Sequence, residues 1–510
     1  MVAVATPIVV TTSGPVRGRS IPEGTVFLGV PYAAAPAGPY RFAAPRPHPR
    51  WARVRDATRT GPTAPQPPRD RFGLLDMTPF FGPGWRRGGD YLTVNIWAPH
   101  PRHDRAPIMV FVHGGGFLAG SNNAALYDGT AFARDGVILI TVNYRLGIPG
   151  FLHLPDAPDN RGMLDVLAAL HWIRDNAARL GGDPDSITLF GQSAGATLVA
   201  GLLAQRSTAG LVRRAIMQSG NGHGAFAPEQ AHIVTAAVGQ DLELRPTAAA
   251  LAHIPDDDLV EATSRLRGLD LQTPEHHDPL GGITPFSLVL TEQPADSVAA
   301  GAARTVDLLI GSNRDEGNLY LAPLGMMTGA TDADLHATAA RFHRRPHDLI
   351  SAYRRSRPRA TTAELRAAIL GAGLFGTGTR HMAARHAATA TAATYAYEFT
   401  WQSNAIGGQL GASHVMELPF VFERDNLPSL YGPHALLGTA EPPADLAPRL
   451  HAAWVRFAAT GDPGWPPMLP ERRTTQLIGS AWQPADDPHA RESAAWSLRG
   501  DAEMIEPGRQ

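Results

Sequence analysis

The run Ser186-Ile187-Thr188-Leu189-Phe190, followed at once by Gly191-Gln192-Ser193-Ala194-Gly195 and then by a small-residue, apolar stretch over 196–204, decides how this chain folds. The first segment reads as a strand and the last as a helix, with a tight Gly-x-Ser-x-Gly turn between them. Small neighbours let such a strained turn hold the serine hydroxyl clear of the backbone, which is the design of a nucleophile elbow. In a chain with 52 glycines, a turn of no chemical consequence is the plain alternative. The surrounding sequence has to choose.

Outward from the elbow, the apolar runs 108–112, 137–142, 187–190, 215–218 and 306–310 are short and mostly β-branched, as buried strands are. Between two of them Met163, Val166, Leu167, Leu170, Ile173 and Ala177 recur at helical spacing and give one apolar face. Strands alternating with helices imply an α/β architecture, a mostly parallel sheet covered on both faces. The 510 residues suit one elaborated catalytic domain over 1–510. The Pro- and Gly-rich stretch 66–89 and the mixed helical stretch 228–380 supply its loop and cap elements.

A formal net charge of -2 gives no footing for nucleic acid or an anionic membrane, so a small neutral substrate is expected. The chain has no cysteine, which excludes disulfides, thiolate metal sites and a cysteine nucleophile together. All its basic residues apart from histidine are arginine. The first residues lack a basic segment followed by an apolar core, and no stretch approaches the roughly 20 apolar residues of a membrane span. A cytoplasmic enzyme is the expectation.

A serine hydroxyl attacks well only when a histidine takes its proton, and that histidine works best with a carboxylate to hold its tautomer. The oxyanion that develops needs backbone donors as well. His113-Gly114-Gly115-Gly116-Phe117 follows a strand-like run, and its glycines let N–H groups turn toward such an oxyanion. Gly115, Gly116 and Ala194 are the candidate donors.

Several motifs in one order carry a resemblance. Phe27-Leu28-Gly29-Val30-Pro31-Tyr32-Ala33, Arg41-Phe42, the segment 90–97, Asn143-Tyr144-Arg145-Leu146-Gly147, Gly181-Gly182-Asp183-Pro184, Gln218-Ser219-Gly220 and Gly461-Asp462-Pro463 stand where type-B carboxylesterases have theirs. The chain resembles that α/β-hydrolase family, which includes bacterial para-nitrobenzyl esterases and the cholinesterases, along nearly its whole length. The resemblance implies the α/β-hydrolase fold with cap insertions, and a serine esterase that needs no metal or organic cofactor. It assigns Glu316, in Arg314-Asp315-Glu316-Gly317, as triad acid, although by spacing alone Asp315 serves as well. It assigns His414, in Gly411-Ala412-Ser413-His414, as general base, and Ser219, Gln192 and Glu417 as supporting residues. The expected reaction is hydrolysis of a small to medium carboxylic ester through an acyl-enzyme. Amides, carbamates, polyesters or toxin esters are alternatives for the same machinery, and a non-catalytic binding protein is disfavoured by the intact set of candidates.

The chain also departs from the pattern. Gly89-Asp90-Tyr91-Leu92 stands where the family commonly has Glu-Asp-Cys-Leu, which removes a usual partner of Arg41; either Asp90 substitutes or the loop is reorganised. Arg145 and Asp165 still match an internal ion pair. Gln192 replaces the glutamate that contributes to cation binding in cholinesterases, so a choline ester is not expected. His276-His277 has no third ligand at metal-binding spacing and reads as a solvated loop. The segments 72–81 and 284–290 are nominated as pocket walls.

Overall fold

The computed structural model describes residues 6–100 and 105–496. Eleven strands among them form one sheet. In chain order these are β1 (Arg19–Ile21), β2 (Gly24–Pro31), β3 (Thr93–Pro99), β4 (Ala106–Val112), β5 (Ile138–Val142) and β6 (Gly182–Gln192). They continue with β7 (Arg214–Gln218), β8 (Asp307–Asn313), β9 (Thr394–Phe399), β10 (Thr474–Ile478) and β11 (Trp482–Asp486). Across the sheet the order is β11-β10-β9-β8-β7-β6-β4-β5-β3-β2-β1. Every neighbouring pair from β5 to β10 is parallel, and the outer pairs are antiparallel. Each apolar run read as a strand is one.

The parallel strands are joined through helices, as parallel pairing requires. Helix α1 (Arg161–Asn176) connects β5 to β6, and α2 (Ala194–Leu203) connects β6 to β7. Helices α3 (Thr362–Gly371) and α4 (Thr377–Thr389) precede β9, α5 (Leu446–Thr460) precedes β10, and α6 (Ala490–Trp496) follows β11. The periodic residues Met163, Val166, Leu170, Ile173 and Ala177 are buried, and Leu167 packs at the margin of the same cluster. Helix α2 begins at Ala194, earlier than the sequence pattern suggests, because the turn consists of little more than Ser193 itself.

Strand β4 shows why the central sheet reads as continuous apolar sequence. Ile108, Val110 and Val112 enter the core on one face, whereas Met109 and Phe111 enter the core on the other. Successive side chains of a strand point to opposite faces, so two covered faces demand apolar residues at every position. Each such burial contributes about 1.5–3 kcal/mol.

The stretch 228–380 is not purely cap: β8, a strand of the central sheet, runs through it. Its helices 332–342, 346–356 and α3 share a smaller core with Trp496 of α6. The stretch 66–89 does pack, through buried Leu75, Met77 and Phe80. The Gln66 amide exchanges two hydrogen bonds with Gly120, at 2.8 and 3.0 Å.

Arg145 and Asp165 form a fully buried bidentate pair, at 2.8 and 2.7 Å. Removing one partner of such a pair typically costs about 3–5 kcal/mol. Asp90 does not replace the missing partner of Arg41. It pairs with Arg55, while Arg41 donates to the carbonyls of Leu251 and Ile254 and lies 3.3 Å from Asp256. The turn between two short helices of the 228–380 stretch, 248–251 and 256–265, thus supplies the partners of Arg41.

Candidate active site

At the end of β6 the chain turns sharply. Ser193 sits at φ 57°, ψ −125°, between the last residue of the strand and the first of α2. A serine held at positive φ stores roughly 1–3 kcal/mol of strain. Close packing enforces it: a Cβ on Gly195 would lie 2.0 Å from the Val112 carbonyl oxygen, and one on Gly191 would lie 2.6 Å from Gly195 itself. The Ser193 N–H donates to the Gln218 carbonyl at 2.9 Å, and the Ser193 carbonyl accepts from the Thr197 N–H at 2.9 Å.

From β4 the chain goes to β5 on one side, and later β6 lies against β4 on the other. Such a switch point opens a crevice at the carboxyl ends of the two strands. The His113–Phe117 loop lines it from β4 and the elbow from β6. Gly115 has φ 114°, and a Cβ there would lie 1.9 Å from the Ala119 carbonyl oxygen. Among the described residues the N–H groups of Gly115, Gly116 and Ala194 have no hydrogen-bond acceptor, so all three remain available to a ligand. The Thr284 hydroxyl fixes the loop by donating to the Gly116 carbonyl at 2.7 Å, which brings the start of the nominated 284–290 segment against it. His113 is structural. Burial pushes its pKa down to about 4, and the neutral ring stacks on Tyr144 at 4.5 Å.

Glu316 leaves the end of β8 and His414 lies in the loop after β9. Oε2 of Glu316 is 2.6 Å from Nδ1 of His414, with both side chains buried. Oε1 of Glu316 accepts from the Ser219 hydroxyl at 2.5 Å and from the Asn313 N–H at 2.7 Å. Asp315 points elsewhere. Its Oδ2 accepts from the Ala412 N–H at 3.0 Å, so the rival carboxylate anchors the histidine loop and stays away from the ring. Burial raises its pKa.

The sequence reading missed residues that hold this arrangement from behind. Asn313 donates from its amide to the Ser413 carbonyl and to Glu417, both at 2.7 Å. Gln218 donates to the other oxygen of Glu417 at 3.0 Å and accepts from the Trp454 indole at 3.2 Å. Burial, and then the Glu316 charge, raise the pKa of Glu417. Phe375 lies flat on the His414 ring, centroids 4.1 Å apart and planes 10° apart. It comes from a π-helical turn, Ala372–Gly376, wedged between α3 and α4. Single π turns recur at functional sites, and this one aims a ring at the imidazole. Val415, at φ 72°, and Ser219, at φ 51°, add strained backbone around the same point.

Gln192, expected as a supporting residue, reaches the His414 ring. Its amide nitrogen is 3.2 Å from Nε2 of His414. The Ser193 hydroxyl makes no hydrogen bond among the described residues. In unliganded sites hydrogen bonds between reacting groups are often loose and tighten on substrate.

Away from the crevice, Asp135, Glu423 and His451 bring ligand atoms within 4.8 Å of one another. The Arg134 guanidinium already bonds both carboxylates, at 2.8 and 2.6 Å, and so occupies oxygens of that cluster with a charge of its own. No helix among the described residues is long and apolar enough to cross a membrane.

The model of the carboxylesterase family matches residues 5–492. The para-nitrobenzyl esterase of Bacillus subtilis (strain 168) is 34% identical over 95% of this chain and 97% of its own length. The phenmedipham hydrolase of Pseudarthrobacter oxydans is 33% identical over 93% and 95%. Among solved structures, a carboxylesterase of Geobacillus stearothermophilus superposes with a TM-score of 0.82 at 33% identity, covering 96% of this chain and 99% of that one. This agreement along the whole sheet establishes the α/β-hydrolase fold. The chain therefore belongs to the carboxylesterase family, and it is a serine carboxylic ester hydrolase.

Proposed function

We propose that Ser193, His414 and Glu316 are the catalytic triad of this esterase and that Gly115, Gly116 and Ala194 form its oxyanion hole. The observation that carries this reading is the 2.6 Å contact between His414 Nδ1 and Glu316 Oε2, made by residues 98 positions apart in sequence. With the Nδ1 proton directed at the carboxylate, Nε2 keeps its lone pair and can take the proton of Ser193. The serine oxygen then adds to the ester carbonyl, and the three N–H groups receive the oxyanion. The alcohol leaves with the proton from His414. Water, deprotonated by the same nitrogen, releases the acid and restores the serine. Gln192 lies beside the reacting nitrogen, while Ser219 and Glu417 brace the acid and the loops.

The substrate class that fits is a small-molecule carboxylic ester. A single domain over 1–510 is part of the proposal, supported by a sheet that draws strands from residues 19 to 486. So is work in the cytoplasm, with which a chain free of cysteine is compatible. The test is turnover of para-nitrophenyl esters from acetate to long acyl chains, with Ser193→Ala in parallel. A loss of at least about a thousandfold in kcat is expected. Undiminished turnover in the folded variant would remove Ser193 from its role.

A further inference from the structure

Arg69 stands over the oxyanion loop. Its Nη1 is 3.8 Å from the position that a Cβ on Gly116 would occupy. The Tyr320 ring is 5.9 Å from the His414 ring. The phenol carries the imprint of both neighbours: burial raises its pKa, Glu316 raises it further, and Arg69 pulls it down. The guanidinium thus lies against the oxyanion glycine, near enough to Tyr320 for its charge to be felt there.

No described carboxylate answers the charge of Arg69, although it stands at the oxyanion loop. Buried Arg145 has Asp165, and buried Arg161 donates to the carbonyls of Pro149, Pro158, Ile148 and Leu152. Arg357 has Glu492. Arg69 is half-buried and has no hydrogen bond or ion pair with any described residue. Its desolvation, and then the like charge of Arg267, lower its pKa. Glu316, the acid on that side of the crevice, is already committed to His414, Ser219 and Asn313. A cation held partly out of water without a counter-charge is unfavourable for folding. It becomes favourable when a ligand brings the anion, and a guanidinium fork matches a carboxylate through two parallel hydrogen bonds.

We infer that Arg69 is a carboxylate subsite beside the oxyanion hole, and that the preferred substrates are esters carrying a second, free carboxylate, such as hemiesters of short dicarboxylic acids. This rests on the triad reading above. The product diacid would hold the same contact, so it competes with substrate.

The experiment follows monoethyl succinate, glutarate and adipate by pH-stat, each against the ethyl ester of the monocarboxylic acid of equal chain length. The quantity read is the ratio of kcat/KM for the charged ester to that for the neutral one. In wild type the ratio exceeds one, peaks at one chain length and falls as sodium chloride is added. In Arg69→Gln it drops about tenfold to a hundredfold, as expected for loss of a charge-assisted pair. Arg69→Lys, which keeps the charge without the fork, recovers part of it. A ratio equal in wild type and Arg69→Gln overturns the subsite while leaving the esterase intact. If the folded wild type turns over neither class and Ser193→Ala changes nothing, the triad reading falls and the subsite falls with it.

Discussion

The side-chain amide nitrogen of Gln192 lies 3.2 Å from Nε2 of His414. Because the other ring nitrogen faces Glu316, Nε2 offers a lone pair and the amide donates to it. On the triad reading proposed above, Ser193 displaces that amide to hand over its proton. A carboxylate in the same place would instead favour the imidazolium. Gln192→Glu should therefore move the acid limb of the kcat/KM profile to higher pH, by roughly one unit, and depress activity near pH 6 far more than near pH 9. A limb that stays put would mean that residue 192 does not face the ring during turnover.

Phe375 holds the imidazole plane by stacking at 4.1 Å. Phe375→Ala leaves the ring free to tilt, and misplacement by about 1 Å can cost roughly a hundredfold. A fall in kcat of about ten- to a hundredfold is expected, with a smaller change in KM. Phe375→Leu, which fills the space without a flat face, should lie between the two. Equal kcat in all three would show that stacking does not position the ring.

Glu417 accepts from Asn313 and Gln218 in a fully buried position. Glu417→Leu strands both amides, so a loss of about 2–4 kcal/mol is expected, read from urea midpoints. Activity per folded molecule should also fall, because Asn313 supports Glu316 and the histidine loop. Unchanged stability would assign the network no structural weight.

Helix α6 is clamped electrostatically. His489 lies 2.6 Å from Glu398 and 3.4 Å from Glu492, and Arg357 lies 2.7 Å from Glu492. Burial alone would raise the pKa values of Glu398 and Glu492, but His489, and for Glu492 also Arg357, hold them below the ordinary carboxylate range. Burial opposes charging of His489, and the two carboxylates overcome it and raise its pKa. The carboxylate contribution is complete above their unfolded value of about 4.3 and fades as pH falls through their folded values. The histidine contribution is complete below about 6.5 and fades as pH rises through its folded value. Hydrogen exchange over 490–496, corrected for intrinsic rates, should be slowest between about pH 4.3 and 6.5. His489→Gln should abolish the alkaline rise, and a rise that survives would locate the pH sensitivity elsewhere.

Gly195 admits no side chain, since its Cβ would overlap the Val112 carbonyl. Gly195→Ala should cost about 3 kcal/mol or more, seen as a lowered Tm together with lost activity. A folded, active variant would show that α2 can shift without disturbing the elbow.

Strands, the turn at Ser193 and the glycine loop after β4 were legible in the sequence because each rests on local chemistry: continuous apolar runs for a sheet buried on both faces, and glycines where α2 touches β4. The choice between Asp315 and Glu316 was not local. It depends on the turn after β8, where consecutive carboxylates leave in different directions, one to Ala412 and one to His414. Phe375 was hidden because a π turn leaves no periodicity to read, and Asn313 because an asparagine ending a strand resembles any other. The partner of Arg41 could not be found near Asp90, since carbonyls more than 200 positions away provide it.

The elbow, the oxyanion loop, Glu316 and His414 depart from the tips of β6, β4, β8 and β9, strands of one hydrogen-bonded lattice. Residues 66–89 and 284–290, by contrast, lean on that lattice without belonging to it. On the triad reading, reactivity and selectivity are then expected to be inherited as largely separate traits. Diversity introduced into those two segments, with Gln66 and Thr284 kept to hold the loop after β4, is expected to redraw which molecules are admitted while the alignment of the reacting groups passes from parent to offspring.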